Sequence, residues 1–446
     1  MREAIKTLGA GLPSMLLPLA LLLVGAVYAV SLRGFFILHP VRALKGMLGK
    51  RKKEALRALS MALAGTLGVG NIAGVALAIA VGGAGSVFWM WVSAAFAMFL
   101  KYGEIVLALL FREKNGDGGA MYYMRDGVGG ALGAMLASLF AVLCLFCALT
   151  LGSSVQASAA AESLKTLGTP ALLSGVLLAG FAALVVFGGA RRIQNITEKL
   201  IPLLTLFYIF LSLYACIKNA RALPAVLSRI FLDAFSPVSA LAGGGAFFSV
   251  KAMRYGAMRG LLSNEAGAGT APLAHATAKN TPVSQGLLGV IEVFIDTFVL
   301  CSATAFVVLL AFEEPPSDAG GVTLVLDAFA LLVGRWTRVP IIFSVVLFAY
   351  ATVICWCFYG ERALVYLSPR PIWRRVYLLL FLMLIVAGSV FSSTFVWRIT
   401  DLSLSLMTLA NLFALLLLFP LVRRETCKAF FTKKKKSEKS QRGEAP

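Results

Sequence analysis

An apolar run over residues 59–80 is interrupted at Ala64-Gly65-Thr66-Leu67-Gly68-Val69-Gly70-Asn71. Each glycine destabilises a helix by about 1 kcal/mol relative to alanine, so this cluster predicts a break in the helix. Unwound backbone is excluded from lipid but tolerated where it lines a cavity inside a protein. There, free amides can hold a carboxylate and free carbonyls can hold a cation. Close helix packing through small residues is the alternative interpretation, and the spacing alone does not separate the two.

The composition around this segment is that of a membrane protein. The chain has 446 residues, of which 59% are hydrophobic and 14% charged, whereas soluble domains are about half apolar and about a quarter charged. A helix needs about 20 apolar residues to span a bilayer, and the apolar runs are continuous, which excludes a transmembrane β-barrel. We predict an all-α polytopic membrane protein with about eleven spans, at 12–37, 59–80, 86–111, 131–164, 170–188, 197–217, 236–262, 284–312, 338–366, 375–394 and 397–421.

Positive charge is concentrated between the apolar runs and in the C-terminal tail. The formal net charge of +20 could indicate nucleic-acid binding, but this distribution is the positive-inside bias of membrane proteins. Basic residues cluster at 42–57, in alternate loops thereafter and at 423–436. This predicts an N-terminus outside the cell and a cytoplasmic C-terminus. The first apolar stretch is too long for a signal-peptide core, so we interpret it as a retained span.

A second apolar segment is interrupted at Gly243-Gly244-Gly245. If the first span is an accessory, the two interruptions lie in the first helices of two five-helix halves, and an odd number of helices places the halves in opposite orientations. This is the inverted-repeat layout of secondary transporters, whose broken helices flank a site at the membrane midplane. The predicted divisions are an accessory span with a basic loop, two repeats and a basic tail, at 1–58, 59–217, 218–421 and 422–446.

Few ionisable residues fall within the predicted spans, and such residues are candidates for function. Glu292 and Asp296 are four residues apart, on one face of a helix. Lys251 lies near a span end, and Glu265 follows Asn264 in a segment that could form a gate. The alternatives are ion pairing among these residues, helix capping by Asn264, and a lysine that extends to the interface. We list Glu265, Glu292, Asp296 and Lys251 as gating or coupling candidates.

The sequence disfavours an enzyme and a channel. Only two histidines are present, His39 and His275, and no grouping of nucleophile, base and orienting residue is visible. No repeated element resembles an ion-channel filter. The cysteines lack partners arranged as a metal site, so we interpret them as packing residues.

Several long stretches, in order, resemble one family, the alanine or glycine:cation symporters, also called sodium:alanine symporters. The likeness extends from about residue 59 to 366 and is weaker towards the C-terminus. It rests on GTLGVGNIAGVALAIAVGGAGSVFWMW, KYGEIVLALLFREKNGDGGAMYYM, RRIQNITEKLIPL, MRYGAMRGLLSNEAGAGTAPLAHATAK, EVFIDTFVLCSATAFVVL and CFYGERAL. The resemblance implies a leucine-transporter-like 5+5 inverted repeat with two broken helices, in a bacterial or archaeal cell membrane.

The resemblance also implies a function and its residues. It implies sodium-coupled symport of a small neutral amino acid, alanine or glycine, with sodium as a co-substrate and no covalent cofactor. The substrate carboxylate would bind the unwound backbone, with Gln156 and Trp356 in the pocket. The candidate substrate-binding residues are Thr66, Gly68, Val69, Gly70, Asn71, Gln156, Phe248 and Trp356. The cation would bind the carbonyls of Ala64 and Leu67 and the hydroxyl of Thr352.

This chain departs from the family pattern at positions that bear on coupling. Ala351 stands where the family usually has serine, which removes one hydroxyl ligand for sodium. Phe247-Phe248 and Lys251 are also unusual at their positions. These departures motivate a second hypothesis, a proton-coupled or facilitative permease of the same fold with a different small substrate.

Overall fold

The computed structural model describes residues 2–38, 52–114, 116–235, 250–316, 320–391 and 393–430. Within these ranges every regular element is helical. The helices of ten or more residues are α1 (Arg2–Ser31), α2 (Lys52–Thr66), α3 (Ala73–Gly82), α4 (Gly85–Leu110), α5 (Gly130–Cys147), α6 (Gln156–Lys165), α7 (Ala171–Val186), α8 (Gly189–Lys218), α9 (Leu223–Ala234), α10 (Val250–Asn264), α11 (Pro282–Val293), α12 (Ser302–Ala311), α13 (Gly321–Leu332), α14 (Arg338–Leu367), α15 (Pro371–Val390) and α16 (Ser393–Phe430).

Several of these helices are long and apolar enough to cross a membrane. In the described part of the chain there are 7 such helices, or 8 when α2 and the following bent segment are taken as one span. Two of the 7 join consecutive helices through a π-helical segment, α5 with α6 and α11 with α12. Shorter apolar helices occupy Leu16–Ser31, Ala171–Val186 and Gly321–Leu332. The architecture is therefore polytopic and α-helical, while the count of eleven spans and the inverted repeat stay predictions.

The structure breaks the helix at the glycines that predicted a break. Helix α2 ends at Thr66, a short 3₁₀ turn covers Val69–Asn71, and α3 begins at Ala73. The two parts are bent by 62°. The second predicted interruption, Gly243–Gly245, lies outside the described residues.

Helices α4 and α14 form the centre of the structure. The apolar window of α4 is 83% buried and that of α14 78%, against 39% for α8 and 33% for α15. Helix α4 packs against α1, α10 and α11, and α14 packs against α2, α5 and α6. The break between α2 and α3 contacts α14, one of these two buried helices.

Two 12-residue helices, α9 and α13, occupy segments for which the sequence predicted no element. Each is too short to cross a bilayer alone, so the length of an apolar span predicts neither of them. Helix α9 buries one face, with Val226, Ile230 and Ala234, while the apolar side chains of Leu227 and Phe231 are exposed. Such a helix is suited to lie along the surface of the bundle.

Candidate functional site

The break leaves backbone groups that the helix would otherwise pair. The last regular bond joins the Leu67 amide to the Leu63 carbonyl at 2.7 Å. The Gly68 amide donates instead to the Thr66 carbonyl at 2.8 Å and to Asn71 Oδ1 at 3.3 Å. The Ala64 carbonyl, which a continuing helix would have paired with Gly68, accepts a bond from Thr352 Oγ1 at 3.0 Å.

Two side chains from other helices hold the unwound segment closely. Gln156, at the start of α6, accepts a bond from the Val69 amide at 3.4 Å through Oε1. A Cβ built on Gly68 would lie 2.6 Å from Thr352 Oγ1 and 3.2 Å from Gln156 Oε1. Real Cβ atoms essentially never approach a neighbouring atom as closely as 2.6 Å, so a side chain at position 68 would have to displace Thr352.

A small cavity lies beside the break. Its volume of about 20 Å³ is of the size that holds a water molecule. Predicted residues from α2, the break, α6 and α14 surround it, together with side chains of α10 and the loop after it. The lining residues are Gly65, Thr66, Gly68, Gly70, Leu151, Gln156, Arg259, Leu262, Glu265, Thr352 and Trp356.

Of the residues predicted for the cation, Thr352 lines this cavity. Its hydroxyl contacts the Ala64 carbonyl through the bond described above, and Leu67 is buried directly after the end of α2. Carbonyl and hydroxyl oxygens are the ligands that hard cations prefer. The chemistry of this set therefore fits a sodium ion, and the assignment of the ion remains a proposal.

Glu265 and Trp356 both line the cavity and contact each other. Trp356 is fully buried on α14, and its Nε1 donates to Glu265 Oε1 at 3.2 Å. Thr270 Oγ1 donates to the other carboxylate oxygen, Oε2, at 2.6 Å. The sequence suggested a gate or a helix cap for the Glu265 segment, and the structure places the Glu265 side chain at the cavity itself.

Asp296 lies directly behind the break. Its side chain is fully buried in the π-helical segment Phe294–Cys301 and accepts bonds from Asn71 Nδ2 at 2.6 Å and from Ser263 Oγ at 2.7 Å. Since Asn71 Oδ1 also accepts from the Gly68 amide, a single side chain joins Asp296 to the unwound backbone. Asn71 thus contributes to the site by fixing the break, not by lining the cavity.

Glu292 does not share the surroundings of Asp296, although both lie on one helix face in the sequence. Its carboxylate forms a buried ion pair with Lys101 of α4 at 3.1 Å and a bond with His275 Nε2 at 3.0 Å. Glu104 accepts bonds from the Gly269 amide at 2.8 Å and from Asn411 Nδ2 at 2.5 Å. The alternative drawn from the sequence was ion pairing among the charged residues. That interpretation applies to Glu292.

Of the remaining predicted residues, Thr66 lines the cavity and Lys251 does not. Lys251, in the first turn of α10, is exposed, as expected of a lysine that extends to an interface. Phe248 lies outside the described residues. The Thr66 hydroxyl lines the cavity and donates weakly to the Ala62 and Leu63 carbonyls, at 3.4 Å each.

Sequence reasoning missed Leu151, Leu262 and Asn411. The two leucines line the cavity, but no pattern distinguishes them from other apolar residues. Asn411 carried a signal, because a polar residue in an apolar span is a functional candidate. It is fully buried on α16 and donates to both Glu104 and the Gly267 carbonyl.

Several proteins that are similar to this chain are named as amino-acid symporters or carriers. The chain is similar to the sodium/alanine symporter AgcS of Methanococcus maripaludis, with 37% identity over 92% of this chain and 93% of that protein. It is 33% identical to the amino-acid carrier protein AlsT of Bacillus subtilis, over 83% of this chain and 79% of that protein. It is also 33% identical to the "Probable sodium/glutamine symporter GlnT" of Bacillus subtilis, over 90% and 83% of the two chains.

The family model described as "Sodium:alanine symporter family" matches residues 1–444, nearly the whole chain. Its members are transporters, not enzymes, and their several spans make them multi-pass proteins of the cell membrane. The broken helix, the buried cavity beside it and this match over the full length lead to one conclusion. The chain belongs to the sodium:alanine symporter family.

Proposed function

We propose that this protein couples the uptake of a small neutral amino acid to the entry of sodium. The observation that carries the proposal is the arrangement around Gly68, where unwound backbone, the Gln156 amide and the Thr352 hydroxyl meet beside one buried cavity. Backbone amides at the break would hold the substrate carboxylate, and the carbonyls of Ala64 and Leu67 with Thr352 would hold the cation.

The proposed mechanism is alternating access. Substrate and cation bind between the halves 59–217 and 218–421, which then rock to open the site to the other side of the membrane. The two ligands bind within one turn of the same broken helix, so each favours the conformation that the other requires, and this coupling is reciprocal.

Alanine is the substrate that we propose, with glycine as the smaller alternative. The indole of Trp356 and the side chain of Leu151 form walls of the cavity. Because the cavity has to widen from the size of a water molecule to admit any amino acid, we propose the smallest side chains. One relative is named for alanine and another for glutamine, so the family name alone does not fix the side chain that is transported.

A second candidate function, proton-coupled transport, is favoured by one specific residue. Ala351 is fully buried beside Thr352, at the position where the resemblance led us to expect a serine hydroxyl. The proposed cation site therefore has one side-chain ligand, the Thr352 hydroxyl, instead of two.

Uptake of labelled alanine into proteoliposomes tests the proposal, with sodium and proton gradients imposed separately. We expect accumulation under an inward sodium gradient at equal pH on both sides, and none under a proton gradient without sodium. Accumulation under the proton gradient alone would support the second candidate, and no accumulation under either would contradict alanine as the substrate.

A further inference from the structure

Glu265 is a buried carboxylate that faces the substrate cavity. Its side chain lines the same cavity as Gly68, Gln156 and Thr352, and the residue is 3% exposed. Its two oxygens accept one bond each, from Trp356 Nε1 and from Thr270 Oγ1. A carboxylate can accept about four hydrogen bonds, so the group retains capacity for a further donor from the cavity.

Both of these donors are uncharged. Among the residues that the structure describes, the salt bridges include none to Glu265. Burying an ionised carboxylate without a cation is costly, and structures normally pair such groups. Arg259 also lines the cavity, but none of these salt bridges joins it to Glu265. A cationic group that entered the cavity would pair with the carboxylate directly.

The loop that carries Glu265 is held rigidly. Glu265 has a φ of +51°, in the left-handed region that residues other than glycine adopt at a cost. The next turn is fixed by the buried Glu104 carboxylate, which binds the Gly269 amide, and by Asn411, which binds the Gly267 carbonyl. Such support from surrounding residues fixes a binding group before the ligand arrives.

We propose that Glu265 binds the ammonium group of the transported amino acid. This inference rests on the proposed function, in which the backbone amides at Gly68–Gly70 hold the substrate carboxylate. A zwitterion in the cavity would then meet donors at one end and a carboxylate at the other. The site would select α-amino acids with a free ammonium group and reject monocarboxylates of the same size.

The test compares alanine with propionate, which has the same carbon skeleton and carboxylate but no ammonium. The purified full-length protein is incubated in sodium buffer with labelled alanine, and each unlabelled compound competes for binding. For the wild type we expect propionate to compete at least about 100-fold more weakly than alanine, because a site built for a polar group strongly rejects the analogue that lacks it.

Replacing Glu265→Gln removes the charge and retains a similar shape. We expect alanine affinity to fall by at least about 30-fold, and the alanine-to-propionate affinity ratio to fall towards unity. Trp356→Phe removes the indole donor to Glu265 but keeps the carboxylate, so both affinities should change together and the ratio should persist. Glu162→Gln, at an exposed carboxylate that contacts the Thr323 hydroxyl, serves as the control and should leave both affinities unchanged.

The outcomes separate this inference from the proposed function. A wild-type protein that does not bind alanine would contradict the proposed function, and this inference with it. A wild type that prefers alanine, with the same ratio in Glu265→Gln, would overturn the inference alone. An alanine-to-propionate ratio that falls as far in Trp356→Phe as in Glu265→Gln would also overturn the inference. Glu265 would then act by positioning the indole.

A second variant keeps the test decisive if Glu265→Gln is not recovered as folded protein. Glu265→Asp keeps the charge but draws the carboxylate back by one methylene group. We expect its alanine affinity to fall about tenfold, since a small misplacement of a binding group is costly, while propionate stays rejected. Wild-type alanine affinity in Glu265→Asp would overturn the proposal.

Discussion

Among the glycines of the break, Gly68 leaves the least space for a side chain. Its φ of −115° is one that any residue adopts, so the requirement for glycine is one of space and not of backbone strain. We expect Gly68→Ala to lower alanine uptake by at least about tenfold, because a methyl group there displaces the Thr352 hydroxyl or the Gln156 amide from the site. Uptake into proteoliposomes, normalised to the amount of inserted protein, measures this.

Gly74→Ala is the matched control for that substitution. A Cβ on Gly74 would lie 3.8 Å from the nearest atom, in Arg259, which is an ordinary van der Waals contact. Wild-type uptake in Gly68→Ala would show that the cavity wall relaxes there and that the close approach has no role in binding.

Thr352 carries the second prediction at the scale of the residue. Thr352→Val preserves the branched shape and removes the hydroxyl that contacts the Ala64 carbonyl. We expect the sodium concentration for half-maximal alanine uptake to rise about tenfold, since one oxygen ligand is lost, with a smaller change in the half-saturating alanine concentration. Thr352→Ser keeps the hydroxyl and should stay close to the wild type. A change confined to alanine would count against the cation assignment.

At the scale of the element, the Lys101–Glu292 ion pair fastens α4 to α11. The side-chain exposures of the two residues are 0% and 1%. Removing one partner of a buried pair leaves an uncompensated charge and costs about 3–5 kcal/mol. We therefore expect Lys101→Met to lower the thermal stability of the detergent-purified protein, measured as the temperature at which half of it aggregates.

The double variant Lys101→Met with Glu292→Leu separates the ion pair from packing. It removes both charges, so it should recover much of the stability that Lys101→Met loses. Lys428→Met, which breaks an exposed pair with Glu425 on α16, should leave the aggregation temperature unchanged. A double variant no more stable than Lys101→Met would show that the lost stability does not come from an uncompensated Glu292 charge.

Local chemistry explains which parts of these elements could be predicted from the sequence. The break between α2 and α3 was predictable because the penalty of glycine in a helix is a local property of residues 65–70. The partner of Lys101 was not, because Glu292 is distant in sequence and only the packing of α11 on α4 brings the two together. The position of Glu265 at the cavity depends likewise on a loop fixed by Glu104 of α4 and Asn411 of α16.

The π-helical segments were also beyond the reach of sequence patterns. Two of the three in the described residues lie at Ala148–Val155 and Phe294–Cys301, inside spans whose apolar character gives no sign of them. Such segments occur frequently at functional sites, and here one precedes Gln156 while the other contains Asp296. The sequence thus indicated the residues of the site, whereas the local helix geometry that orients them required the structure.

At the scale of the whole molecule, the basic loops and tail predict the orientation in the membrane, and the cysteines allow a direct test. Of the seven, Cys427 near the end of α16 is the one that is exposed, Cys216 is intermediate and the others are buried. If the C-terminus is cytoplasmic, an impermeant maleimide should label the protein in inside-out vesicles and not in right-side-out vesicles. Cys427→Ser should abolish that labelling.

Adding Glu314→Cys to Cys427→Ser places a thiol on an exposed residue between α12 and α13. We assign this residue to the outside, so labelling should then appear in right-side-out vesicles only. The reverse pattern for both thiols would invert the topology, and with it the side from which substrate and sodium enter, while leaving the architecture of the cavity unchanged.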